Sequence, residues 1–156
     1  MTIAIGTYCR FQDRNGADQG LNLQNFFAGE SRSFGGASYT FANFGFSGSA
    51  VDATGANISA QLVFAVNQLI LNTAKTAADG SWIVRVQTVW LDPVSLAETG
   101  QFVSETYAVL GYDHNNLRLG MRLGSPIDAI TANIPRRVLS TSMVGSLPAT
   151  GAIPLS

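Results

Sequence analysis

Charge is scarce in this chain. Asp, Glu, Lys and Arg make up 12% of its 156 residues, where a soluble domain ordinarily carries about a quarter. A monomer dilutes its surface with charge to stay apart from its neighbours, so the shortage predicts that much of this surface meets protein rather than water; a monomer with a Ser, Thr, Asn and Gly surface is the plainer alternative. Lysine is scarcer still: the basic side consists of eight Arg and only Lys75, with a net charge of -1. That balance removes any global case for a nucleic-acid or acidic-membrane partner. Arg in place of Lys suits protein interfaces, because its planar fork makes paired hydrogen bonds and is weakly hydrated. Cys9 is the single cysteine and His114 the single histidine, so no internal disulfide forms. No run approaches the 18 apolar residues of a membrane span, and MTIAIGTYCRF lacks the basic start of a signal peptide. The chain is therefore expected to be made and assembled in a cytosol, with Asn57-Ile58-Ser59 a chance match to a glycosylation site.

Period-two alternation dominates what is present, the pattern of strands with one buried face. Ile3, Ile5, Cys9 and Phe11 share a face in the first segment, and Ile58, Ala60, Leu62, Phe64 and Val66 share one later, with Ser59 and Gln61 opposite. Trp82, Val84, Val86 and Trp90 line up against Arg85 and Gln87; Leu117, Leu119, Met121 and Leu123 alternate with Arg118, Gly120 and Arg122. Weaker strands are expected over Leu21–Phe27, Tyr39–Phe46 and Val103–Leu110. The Gly- and Phe-rich stretch SFGGASYTFANFGFSGSA reads as strand plus turn rather than low complexity. One helix is predicted over residues 68–79. Asn67 caps its start, Ile70, Ala74 and Ala77 fall on one stripe, and Gly80 suits the left-handed position after its end. Asp92-Pro93 forces a turn, GYDHNN at 111–116 reads as a hairpin turn, and the uncharged tail TSMVGSLPATGAIPLS reads as an extended arm. The fold class is mainly β, with one flanking helix.

The inventory argues against most chemistry. A histidine-dependent nucleophile would need His114, whose neighbour Asp113 points away from it in a turn. Gly45-Phe46-Ser47-Gly48-Ser49 lacks the closing glycine of a nucleophile elbow, and no Gly-rich loop precedes Lys75. Cys9 and His114 alone cannot make a zinc site, and the Asp113, Asn115 and Asn116 fragment of a calcium loop is not completed. Glu98 and Glu105 are the acids least obviously structural, but no spacing joins them as a glycosidase pair. The chain reads as a non-enzyme with no cofactor. Arg118, Arg122, Arg136 and Arg137 cluster in sequence; without lysine they are a thin footprint for phosphate and a better one for subunit contacts.

The segment LGSPIDAITANIPRRVLS resembles the minor tail protein L family of long-tailed phages. Leu123, Gly124, Ser125, Pro126, Ile127 and Asp128, then Pro135, Arg136 and Arg137, match that family's pattern. Upstream, SFGGASYTFANFGFSGSAVDATG, ANISAQLVFAVN, the helix and SWIVRVQTVWLDP are similar to its amino-terminal domain, so the likeness spans most of Arg32–Arg137. It implies the β-barrel or sandwich of tail-tube and tail-hub proteins. It also implies a hub ring, typically a trimer, in the tail tip of the virion. That ring joins the distal tail protein above to the central fibre or spike below, around a channel through which DNA passes without specific binding; no membrane insertion is expected. Longer members continue into a cysteine-rich, metal-site-like domain after Pro-Arg-Arg. This chain has none there, so no metal ligand carries over. The expected organisation is a hub domain over residues 1–137 and an extended arm over 138–156. Arg118, Arg122, Asp128, Arg136 and Arg137 are the candidate inter-subunit contacts. A carbohydrate-binding module using Trp82, Trp90, Tyr107 or Tyr112 is the alternative, though alternation turns both tryptophans towards the core. A small glycan hydrolase is a third reading.

Overall fold

The computed structural model describes residues 3–48, 50–51 and 57–126. The chain is mainly β with one flanking helix. Its strands are β1 (Ala4–Gln12), β2 (Asp18–Gln24), β3 (Arg32–Phe34), β4 (Ala37–Phe41), β5 (Phe44–Ser47), β6 (Ala50–Val51), β7 (Asn57–Ile58), β8 (Ala60–Ala65), β9 (Ile83–Leu91), β10 (Glu98–His114) and β11 (Arg118–Gly124), with α1 at Gln68–Asp79 between β8 and β9. Nine strands form one sheet in the order β3-β4-β2-β1-β9-β10-β11-β8-β5; β6 and β7 pair separately. Every pairing is antiparallel except β2 with β4. The sheet curls on itself: Leu23 of β2 and Phe44 of β5 lie in the same core, and the Asn25 side-chain amide donates to the Phe44 carbonyl at 3.2 Å.

That core takes one face of each strand, as the alternation predicts. Cys9 and Phe11, Ala60, Leu62 and Phe64, Val84 and Val86, and Leu119, Met121 and Leu123 all bury together. Each large aliphatic side chain among them is worth about 1.5–3 kcal/mol of burial. Helix α1 forms where expected. The Asn67 side chain accepts from the Ile70 amide at 2.8 Å, and Ile70, Ala74 and Ala77 face the core. Its exit differs from expectation. Gly80 is right-handed (φ -84°), and Ser81 takes the left-handed position (φ 49°). The Ser81 amide bonds the Ala78 carbonyl and the Trp82 amide the Ala77 carbonyl, the paired bonds of a Schellman exit. Gly80 answers a packing need instead: a Cβ there would lie 2.8 Å from Nε1 of Trp82.

Several expectations are corrected. Ile3 and Ile5 are 55% and 63% exposed, because the core ends at Thr7 and no described residue covers the strand beyond it. β9 instead buries a second set on its other face: Val89 and Leu91 join Tyr8 and Tyr39 in a separate cluster. The β3–β4 hairpin supplies that cover, stacking Phe34 on Tyr8 at 4.6 Å and tilting Tyr39 against it at 4.6 Å. Trp82 is half-buried and packs against the core as the alternation predicts, whereas Trp90 is half-buried opposite the exposed Ile5. Leu117 is 83% exposed, since the hairpin turn falls at 115–117 and not 111–116. β10 runs through to His114, and the Asn115 side chain accepts from the Leu117 and Arg118 amides. The expected strand Tyr39–Phe46 is two strands broken at 42–43, Leu21–Phe27 is shifted to β2, and Val103–Leu110 is the middle of the much longer β10. The boundary at 137 and the 138–156 arm lie outside the described residues.

Candidate assembly interface

β11 and its neighbours carry the arginines. Leu119, Met121 and Leu123 point into the core, which turns Arg118, Gly120 and Arg122 to the outer face. The register places Asp113 of β10 and Val63 of β8 opposite Gly120, and Gly111 and Gln61 opposite Arg122. Gly45 and Ser47 of β5 continue the same two rows. The outcome is an outer face with Gly45, Gly111 and Gly120 in its rows, ending at β5, the edge strand among the described residues. The guanidinium of Arg122 lies low over Gly111, with Nη2 3.0 Å from where a Cβ would sit. Gln61 and Asp113 close over Gly120, at 2.5 and 3.2 Å from its would-be Cβ. Arg118 and Arg122 are exposed, and neither forms an ion pair among the described residues; the one such pair is Arg10 with Asp18 at 2.6 Å.

Asp128, Arg136 and Arg137 lie outside the described residues, so the five candidate contacts reduce to two with a position. Sequence reading found both arginines and their shared face from the alternation. It missed the glycine rows, because Gly111 belongs to a stretch read as a turn and Gly45 to a separate strand.

The other candidates disperse. Glu98 and Glu105 point to opposite faces of β10. Glu98 accepts from the Tyr8 hydroxyl on the second-cluster side, and Glu105 accepts from the Tyr107 hydroxyl at 2.9 Å on the core side. Seven residues of extended chain put them roughly 20 Å apart along the strand, beyond the 9.5 Å or so of a glycosidase pair. Burial, followed by the Glu98 carboxylate, holds the Tyr8 hydroxyl protonated well above its ordinary range. Cys9 is fully buried and desolvation pushes its thiol far up, so it is an inert core group. His114 is exposed and stacks beside Tyr112, ring centres 6.3 Å apart. Tyr107 is buried against Phe46, 5.8 Å away. Trp90 is half-buried and stands opposite the exposed Ile5. Among the described residues no three His, Cys, Asp or Glu converge as metal ligands, and no helix is long and apolar enough to cross a membrane.

A groove of about 470 Å³ opens between β2, the 40–43 link and the start of α1, lined by Leu21, Leu23, Phe41, Asn43, Phe64 and Leu69 among others. It holds no titratable side chain and offers no reacting group. No protein-family model and no curated protein matches the chain.

Proposed function

We propose that this chain is a structural virion protein of a phage tail tip, not an enzyme. Its copies form a hub ring that joins the distal tail protein to a central fibre or spike and surrounds the DNA passage. One observation carries the reading: two exposed arginines without ionic partners among the described residues sit on a glycine-rich outer face, two strands from the sheet edge at β5. A lone soluble protein gains nothing from such a face and risks edge-to-edge aggregation. In a closed ring the same features become the contact, because head-to-tail interfaces close by rotation and Arg is enriched where they bury. The low overall charge supports the same reading, as does the resemblance of Leu123–Arg137 to the tail-hub segment.

The test is the size of the assembly. The purified protein is expected to form a closed oligomer by light scattering and electron microscopy, a trimer if it follows the family it resembles. Arg118→Ala with Arg122→Ala should shift it to monomer with little change in melting temperature. A monomer at every concentration, which also fails to bind a distal tail protein, overturns the reading.

A second reading, a glycan-binding module of the tail tip, draws on Trp90, half-buried beside the exposed Ile5. Retention of the protein on immobilised host glycans, lost in Trp90→Ala, decides for it.

A further inference from the structure

β10 has 17 residues, but its two neighbours cover it unequally. β9 pairs along it from Glu98 to Ala108, whereas β11 pairs only from Ala108 to His114. The Val109 amide bonds the Trp82 carbonyl at 2.9 Å. In an antiparallel ladder the amide and carbonyl of one residue point the same way and alternate along the strand. Val103 and Glu105 therefore face β9, while Phe102, Ser104 and Thr106 present theirs on the side β11 has left. No described strand meets them. This open half-edge borders an apolar surface on the core-side face, where Val103 is 47% exposed and stands in a row with Thr88 and Thr7, next to Ile5 opposite Trp90.

We infer that the arm of this same chain, the strand-forming run Val138–Val144, docks on that half-edge as an added strand. Three observations select this occupant. First, β11 ends at Gly124, opposite Ala108, so the chain leaves the sheet where the open edge begins. Pro126 has no N–H with which to continue the ladder, so the strand cannot simply run on. Second, the 13 residues 125–137 can span up to about 43 Å, and the edge from Ala108 to Phe102 is about 20 Å long. Third, the chemistry matches. VLSTSMV is uncharged, rich in β-branched and apolar residues, and ended by Gly145; the edge runs FVSET through Phe102–Thr106, and its one charged side chain, Glu105, accepts from the Tyr107 hydroxyl. A tether this short holds the segment at an effective concentration on the order of millimolar, which favours the chain's own arm over a second copy. The inference is independent of the tail reading, since it concerns one copy alone.

The test is amide hydrogen exchange on the full-length protein against a full-length variant carrying Thr141→Pro and Met143→Asp, which removes the arm's strand geometry and its apolar contact but leaves the core intact. In the unaltered protein the amides of Phe102, Ser104 and Thr106 should exchange at least tenfold more slowly than in the variant. Those of Val103 and Glu105, bonded to β9, should not change. Ser104→Pro, which removes one outward N–H without touching the β9 ladder, should release the same protection and serves if the arm variant misfolds. Equal exchange of the outward amides in all three proteins overturns the inference. So does protection that rises with protein concentration, which would assign the edge to a second copy. The Arg118/Arg122 assembly test stands whichever way this one falls.

Discussion

Replacing Gly6 by Ala tests how the two faces of β1 are held. Gly6 is buried in mid-strand, and an added Cβ would fall 2.7 Å from Cγ and 2.8 Å from Cε1 of Phe26. Both distances are well inside van der Waals contact, and the intruding atoms belong to the middle of a ring rather than a flexible tip. Phe26 cannot simply yield, because it packs edge-on against Tyr8 at 5.2 Å, and Tyr8 in turn carries Phe34 and Tyr39. Overpacking of this kind costs about 1–3 kcal/mol, and displacing the Tyr8–Phe26 pair adds about 0.5–1.5 kcal/mol. Against that, Ala loses less backbone freedom than Gly on folding, a gain of about 0.4–1 kcal/mol. The net expectation is a loss of roughly 1–3 kcal/mol. Urea unfolding followed by tryptophan fluorescence measures it, with an unchanged slope showing that the fold is the same. Phe26→Leu in the Gly6→Ala background should recover part of the loss, giving a favourable coupling in the double-mutant cycle. A Gly6→Ala protein as stable as the original, or a double mutant whose losses simply add, would refute the packing argument.

Three further outcomes follow from the geometry. Asn67→Ala removes the side-chain acceptor at the start of α1 and should cost about 0.5–2 kcal/mol, with Asn67→Ser restoring most of it; thermal melts decide. Burial raises Cys9, Tyr8 and Tyr39 above their ordinary values of 9.0, 10.0 and 10.0. Above about pH 9 the folded chain then binds more protons than the unfolded one, so stability is full below that pH and falls as pH rises beyond it. Cys9→Ala, compared across pH 7 to 11, should flatten the part of that fall that begins near pH 9; an unchanged profile counts against the buried-thiol account. Gly120→Ala asks only the flexible ends of Gln61 and Asp113 to move, so it should shift stability little yet weaken the assembly by raising the outer face between the arginines. Normal oligomers from that variant would remove the glycine rows from the interface.

The short-range pattern determined most of the elements. Alternation assigned Cys9 and Phe11, Leu62 and Phe64, Val84 and Val86, and Leu119 to Leu123 to the core, because the side chains of a strand must take opposite faces. Asn67 marked the start of α1, because a cap acts within one turn of chain. Arg118 and Arg122 were placed together on one outer face for the same local reason. What alternation cannot express is which faces another part of the chain will cover. Val89 and Leu91 are buried only because the β3–β4 hairpin folds over them, and Ile3 and Ile5 stay exposed only because the core stops short of them. The glycine rows of the outer face need β5 and β8 to join the β10–β11 hairpin in register, and the open half of β10 exists only because β11 is seven residues long against the 17 of β10. Those are facts of long-range pairing, in which distant segments meet through register and curvature, and no window of local sequence contains them.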